Sequence, residues 1–336
     1  MSVGRSFGET NPGRKRRRNE DAFVCEPPLF AVADGMGGAQ AGEIASSLAA
    51  AAVSGGLNGG DAPADAEQAV VELIREANRR VHHRATNDAS ASGMGTTLTV
   101  ALARGDDVVA IGHVGDSRAY LLRDGALEQL TDDHSLVAEL VRRGELSPEE
   151  AEVHPQRSVI TRALGTDPDV DVDVFSVDGR SGDVFLLCSD GLSTMVDPDS
   201  IAELVQRNRG NLQAATRALI KAANDGGGED NITAVLFEID GLPAVDDDPT
   251  VEAVSTEPET LHRAAAAPAD DSAGGREGDT MIVSAAELRA ALAEGGEQPP
   301  EPAPEPVPFA RMLLATLVII VLAGIVVALA VWGLAR

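Results

Sequence analysis

Five short stretches of this chain place acidic residues where they could do chemistry. Asp34 follows Phe30-Ala-Val-Ala and precedes Gly35. Asp116 follows Ile111-Gly-His-Val-Gly and precedes Ser117, and Asp190 follows Phe185-Leu-Leu-Cys-Ser and precedes Gly191. Asp230-Asn231 opens the apolar run Ile232-Thr-Ala-Val-Leu-Phe, and Asn19-Glu20-Asp21 opens the run that starts at Ala22. A lone Asp-Gly is ordinarily a turn. Acidic ends on several strands of one domain say more. Strands buried on both faces carry each carboxylate to a sheet edge, and carboxylates gathered there repel one another unless a cation offsets their charge. Ligation by oxygen alone suits Mg²⁺ or Mn²⁺, and no Cys/His spacing points to zinc.

The elements that must position these residues are partly readable. Residues 22–25, 29–33, 96–103, 107–114, 119–123, 184–189 and 233–239 have strand character. Asp124-Gly125 between Tyr120-Leu-Leu and Leu127-Glu-Gln-Leu is a hairpin signal. Residues 42–54, 63–83, 135–143, 199–207 and 212–223 are helix candidates, and 62–83 has good helix formers with apolar residues at helical spacing. Hairpin-linked strands with helices before, between and after them predict an α+β fold of antiparallel sheets covered by helices. A parallel doubly wound sheet would need a regular strand–helix alternation that the sequence lacks.

Taken together, several strings resemble the ordered motifs of the type 2C (PPM-type) family of metal-dependent serine/threonine protein phosphatases. They are Arg16-Arg17-Arg18-Asn19-Glu20-Asp21, Ala33-Asp34-Gly35-Met36-Gly37-Gly38 with Gly42-Glu43, and Gly93-Met94-Gly95-Thr96-Thr97. His113-Val114-Gly115-Asp116-Ser117-Arg118, Cys188-Ser189-Asp190-Gly191-Leu192 and Glu229-Asp230-Asn231 follow in the same order, and the resemblance covers about residues 5–240. The form, including His154-Pro155-Gln156-Arg157-Ser158, is similar to the bacterial branch that opposes Hanks-type kinases.

The resemblance implies a four-layer α-β-β-α sandwich with two metal ions, Mn²⁺ or Mg²⁺, at one end, and a third, weaker ion site. By position, Asp34 would bridge two ions and the Gly35 carbonyl would bind one of them. Asp190 and Asp230 would complete that site, and Glu20 and Asp21 would support the second ion. Arg16 would hold the substrate phosphate, and Asp116 with Ser158 would serve the third ion. The implied reaction is hydrolysis of phosphoserine and phosphothreonine in proteins by a water acidified between the cations. One departure stands out. Animal members carry a histidine after the first Asp-Gly, proposed as the general acid, and here the residue is Met36. Leaving-group protonation would then come from a metal-bound water or another group; His134 and His154 are candidates, although each reads rather as a structural residue of a flap spanning about 134–165.

Other phosphatase chemistries fit poorly. A cysteine-dependent enzyme needs Cys-x₅-Arg, but Ala31 and Thr194 stand six residues after Cys25 and Cys188. Asp169-Val-Asp-Val-Asp173 lacks the Thr or Val of an aspartyl-phosphate motif and reads as a solvated edge strand. Gly115-Asp116 lacks the His-rich partners of a calcineurin-like dimetal site. A different class of function, a membrane-tethered pseudophosphatase that binds phosphoproteins without turnover, would be expected to lose metal carboxylates, whereas Asp34, Asp190 and Asp230 are present.

Composition sets the remaining bounds. The chain has 336 residues, 43% hydrophobic and only 3% aromatic, so Ala, Val and Leu must fill most of the core. Its formal charge of -27 disfavours nucleic acid as a partner. Two cysteines in apolar runs suggest no disulfide framework. Residues 1–240 read as the catalytic domain and 241–308 as a disordered acidic linker rich in Pro and Ala, ending in a polyproline-like spacer. Within that linker Thr250, Thr256, Thr260 and Thr280 lie among acidic residues, and 280–293 has an amphipathic pattern suited to docking on a partner or on the domain itself. The segment 309–336 contains an uncharged apolar run, 312–334, of about 23 residues, or roughly 34 Å as a helix, enough to span a membrane. No apolar N-terminal leader is evident. The expectation is a single-pass protein of the cell membrane with its catalytic domain in the cytoplasm, phosphoprotein substrates, and a cognate serine/threonine kinase as its counterpart.

Overall fold

The computed structural model describes residues 2–37, 41–56, 65–104 and 107–240, together with the backbone of Met281–Ile282. The chain divides into two units, Met1–Leu288 and Arg289–Arg336, and the second contains no described residue. The expected linker, apart from Met281–Ile282, and the expected span 312–334 therefore lie outside the described residues. Among the described residues no helix is long and apolar enough to cross a membrane.

The strands are β1 (Ser2–Asn11), β2 (Asp21–Glu26), β3 (Leu29–Met36), β4 (Gly95–Thr96), β5 (Leu98–Arg104), β6 (Val108–Val114), β7 (Arg118–Arg123), β8 (Ala126–Gln129), β9 (Val159–Ile160), β10 (Asp173–Asp178), β11 (Val184–Cys188), β12 (Ile232–Asp240) and β13 (Met281–Ile282). The α-helices are α1 (Ala41–Gly56), α2 (Ala66–Asn87), α3 (Leu136–Arg142), α4 (Pro148–Glu152), α5 (Asp190–Ser193), α6 (Pro198–Arg207) and α7 (Leu212–Gly226). One sheet runs β1-β12-β11-β7-β8 and the other β10-β6-β5-β3-β2, with β4 added to the end of β3. Every pairing within these two sheets is antiparallel.

Three apolar layers hold the sandwich together. Phe30, Val32, Ile111, Leu121, Phe185, Leu187, Val235 and Phe237 come from both sheets and fill the space between them. Phe237 stacks on Phe30 with ring centroids 4.0 Å apart and on Phe185 at 5.0 Å. In a chain so poor in aromatics, these three rings supply bulk that Ala and Val cannot. The outer face of the second sheet packs on α1 and α2 through small residues such as Ala45, Ala49 and Ala77. The outer face of the first sheet packs on α6 and α7 through Ile201, Val205, Leu219 and Ile220. The order helix, sheet, sheet, helix is the expected four-layer arrangement, and the central strands are buried on both faces.

Several sequence expectations need correcting. β3 does not stop at residue 33. It runs through Asp34 to Met36, because β4 pairs with Gly35 and Met36. Residues 96–103 are two strands, broken at Thr97. Asp190-Gly191 is the first turn of α5 and not a turn between elements. The edge strand expected near 169–173 starts at Asp173. The hairpin at Asp124-Gly125 is present, with both residues at positive φ and Arg123 opposite Ala126.

Truncating the central ring tests the interlayer core. Phe237→Ala should destabilise the domain by about 3–5 kcal/mol, read as a lower denaturant midpoint with an unchanged slope in urea unfolding.

Candidate metal centre

Antiparallel pairing brings the acidic strand ends to one end of the sandwich. Asp21 and Asp34 are direct cross-strand partners on β2 and β3. Cys188 lies opposite both Arg118 and Ala234, so Asp190, Asp116 and Asp230 flank the corresponding end of the other sheet. The segment Gly115-Asp116-Ser117 leaves β6 in one sheet and enters β7 in the other. Asp116 thus stands on the crossover that closes the sandwich at this end. Gly115 has φ 115°, and a Cβ there would come within 2.6 Å of the Thr97 side chain, so the crossover needs glycine.

The carboxylates act strongly on one another. Burial among protein atoms, reinforced by Asp21, Asp190, Asp230 and Asp116, pushes the Asp34 carboxyl well above its ordinary range. Asp190 is raised in the same way, by burial and then by Asp116, Asp230 and Asp21. Burial lifts Asp21 to about 6 against the hydrogen bonds it accepts, and lifts Asp116 to about 7 with help from Asp133. Asp34 lies within hydrogen-bonding reach of both Asp21 and Asp190, at the centre of the group.

Two buried oxygens in this cluster, Asp21 Oδ1 and Asp190 Oδ1, have no hydrogen-bond partner. A buried carboxylate oxygen left alone is costly, and a hard cation is the group that would satisfy it. The donor set is all oxygen, which fits Mn²⁺ or Mg²⁺. Among the described residues no three His, Cys, Asp or Glu side chains already stand as a ready-made metal cage. Protein partners engage some of the oxygens instead. Ser189 Oγ and Thr233 Oγ1 donate to Asp21 Oδ2 at 2.8 and 2.5 Å, and Arg16 Nη2 donates to Asp230 Oδ2 at 2.8 Å.

Around the carboxylates, backbone and neutral side chains fix the loops. Thr97 Oγ1 accepts the Asp34 N–H at 2.9 Å, while Thr96 Oγ1 donates to the Asp34 carbonyl at 2.8 Å. Asn231 ties three segments together: its Oδ1 accepts the Glu20 N–H, and its Nδ2 donates to the Pro12 and Arg18 carbonyls. The Glu20 carbonyl accepts from the Gly35 N–H and from Ser46 Oγ. A Cβ on Gly42 would lie 2.7 Å from both the Gly35 carbonyl oxygen and Glu20 Oε2, so glycine at 42 keeps those two oxygens uncovered.

The structure therefore gathers Asp21, Asp34, Asp116, Asp190 and Asp230, with Arg16 paired to the last and Glu20 and Gly35 joined by a backbone hydrogen bond. Ser158 is the exception. It lies on the flap just before β9 and hydrogen-bonds none of these residues, so its expected share in a third ion site gains no support from the geometry. Sequence reasoning missed Thr97, Ser189, Thr233 and the roles of Asn231 and Gly42. All of them stood inside the quoted stretches, but only the register between sheets shows what they touch.

The histidine alternatives to a residue-36 acid also resolve. His134 is buried; its Nδ1 accepts the Gly115 N–H, which leaves Nε2–H to face Asp173 Oδ2 at 3.1 Å. It braces the Asp116 crossover against the flap. His113 lies beside it, is held neutral with its pKa lowered to about 3 chiefly by burial, and bonds Thr99 and the Asp132 carbonyl. His154 accepts the Gln156 N–H within the flap. Met36 is buried against Ile160 and Ala163, an apolar seat for the flap. Of the basic run, Arg14 pairs with Asp225 and Lys15 with Glu229 at the exposed surface, as a solvated stretch would.

Comparisons with known proteins agree with this geometry. The family profile described as protein phosphatase 2C matches residues 14–226. A serine/threonine phosphatase stp from Listeria monocytogenes is 43% identical over 239 residues, covering 69% of this chain and 94% of that protein. The serine/threonine phosphatase PstP/Ppp of Mycobacterium tuberculosis has a crystal structure similar to this one with a TM-score of 0.67 at 38% identity, covering 72% of this chain and all of that one. A structure of the PstP catalytic domain in complex with two manganese ions has a TM-score of 0.66 at 36% identity, again covering 72% of this chain and all of that one. The chain belongs to the protein phosphatase 2C family. It is a serine/threonine protein phosphatase of the metal-dependent kind.

The carboxylate cluster also sets a pH dependence. Asp21, Asp34, Asp116 and Asp190 bind protons more tightly folded than unfolded, so their contribution to metal-free stability is fully present below the ordinary carboxylate value of 3.8 and is lost as pH rises through the folded values, about 6 for Asp21 and about 7 for Asp116. Melting temperature measured in chelator should drop between pH 5 and 8, and saturating Mn²⁺ should remove most of that drop.

Proposed function

We propose that this protein removes phosphate from phosphoserine and phosphothreonine in proteins, working from the inner face of a membrane and reversing a Hanks-type serine/threonine kinase. The observation that carries the reading is the acidic end of the sandwich, where two buried carboxylate oxygens lack a partner and Asp34 feels four other aspartates. Two Mn²⁺ or Mg²⁺ ions bound there would supply an acidified water and offset charge on the phosphoryl oxygens.

The chain's own residues do the rest. Asp34 stands at the centre of the cluster, where its carboxylate can serve two ions. Asp190 and Asp230 would hold one ion with the Gly35 carbonyl, and Asp21 with Glu20 would support the other. Ser189 and Thr233 hold Asp21 in place through Oδ2 and leave Oδ1 open to a cation. Arg16, poised at Asp230, is the group suited to a phosphate: its planar fork can meet two phosphoryl oxygens at once. Asp116 on the crossover is the remaining carboxylate for a third, weaker ion. Met36 has no proton to give, and His134 Nε2–H is directed at Asp173, so neither side chain is placed to protonate the leaving group.

Turnover separates this enzyme from a phosphoprotein-binding pseudophosphatase. With Mn²⁺, the purified chain should hydrolyse p-nitrophenyl phosphate and a phosphothreonine peptide. Asp34→Asn should lower kcat by at least ~100-fold, more than loss of an outer-shell partner, and Arg16→Ala should act on kcat/KM with a marked rise in KM. A folded wild-type chain inactive with both Mn²⁺ and Mg²⁺ would sink the enzyme reading.

The membrane placement rests on the apolar run 312–334 and has its own test. On fractionation of expressing cells the full chain should sediment with membranes, and a chain ending at residue 308 should remain in the supernatant.

A further inference from the structure

One strand pairing is not used by the metal centre. β9, in the flap, runs parallel to β13, with Met281 opposite Val159 and Ile282 opposite Ile160. The partner strand comes from the linker, forty-one residues past the end of β12 at Asp240. Linker composition offers little reason for order there. Yet Met281-Ile282-Val283 is the one run of three large aliphatic residues between 241 and 308, and it includes two β-branched side chains, which favour strand.

The place where it pairs is close to the chemistry. The other side of β9 is already engaged: Ile160 bridges to Ser135, and the Thr161 N–H donates to the His134 carbonyl. Ile160 packs on Met36, two residues from Asp34. His134 holds Gly115, next to Asp116, through both its backbone and its ring. Leu164 pairs with Thr96, whose hydroxyl donates to the Asp34 carbonyl. On the approach to β9, Arg157 acts electrostatically on Glu229, the neighbour of Asp230. β9 is thus an edge of the flap that borders the aspartate cluster.

An exposed strand edge recognises extended backbone of almost any sequence, through main-chain hydrogen bonds. A phosphopeptide substrate reaching the metal centre is extended backbone of that kind. We propose that the edge of β9 is a peptide-docking edge, and that the linker segment at Met281–Ile282 occupies it as a built-in competitor for extended phosphopeptide substrates. The linker then restrains turnover of phosphoproteins while leaving small phosphate esters unaffected. The inference rests on the phosphatase reading for its kinetic half and on strand pairing alone for its docking half.

The test uses the full chain and the double variant Met281→Pro/Ile282→Pro, which removes both amide donors of the linker strand without touching the folded domain. Amide exchange of the segment 158–162 should become faster. kcat/KM on a phosphothreonine peptide should rise roughly threefold or more, the change expected if the linker holds the edge about two-thirds of the time. The p-nitrophenyl phosphate rate should not move. Met281→Val/Ile282→Val, which keeps both donors, should behave as wild type. Unchanged exchange at 158–162 would overturn the docking. Faster exchange with unchanged peptide kinetics, or an equal gain on both substrates, would overturn the competition. A wild-type chain that hydrolyses neither substrate would refute the phosphatase reading instead, and the exchange result would still decide the docking.

Discussion

Repulsion among aspartates at one end of a β-sandwich is the constraint on which the rest of this structure depends. Asp21 and Asp34 face each other across a strand pair, where like charges are destabilising, and Asp116, Asp190 and Asp230 add to the same field. A sandwich that only had to fold would place neutral residues there. Instead, the interlayer core of Phe30, Phe185 and Phe237 and the helices on both outer faces hold the two sheets together against that repulsion. Stability is concentrated in the layers, and the tension at the acidic end is what gives the site its affinity for cations.

The neutral groups next to the aspartates decide which oxygens remain for those cations. Ser189 and Thr233 reach across from the other sheet to one oxygen of Asp21, and Asn231 binds the loops on either side. The flap is tied into the same arrangement through His134 and through the seat at Met36. Where a histidine would bring a titrating group to residue 36, methionine brings shape, so this position trades a proton donor for a firm contact with the flap.

Much of the centre was legible in the sequence because each aspartate carries its own local signal: an apolar run ending or beginning at a carboxylate. The interlayer strands were legible for the same reason, since residues buried on both faces form continuous apolar runs. What could not be read depends on partners far away. β1, with Gly4, Gly8 and several polar residues, has little strand character of its own and exists because it pairs with β12. β9 is two residues long, below what periodicity can resolve. Asp34 looked like a strand end because Gly35 follows it, but β4 continues the ladder past it. Ser189 and Thr233 carry no mark of their role, which arises from the register between the sheets.

The pairing of β1 with β12 has a consequence for how the protein is made. Within this sandwich the earliest strand in the sequence has as its partner the latest, and Arg16 meets Asp230 across the same interval. At ordinary synthesis rates more than 200 residues take about 10–50 s to emerge. Throughout that time the nascent chain displays Asp21 and Asp34 without their companions from the other sheet. The centre therefore cannot form piecemeal during translation: catalytic competence arrives in a single late step, when the final strand closes the sandwich, and an incomplete chain released early carries no active fragment.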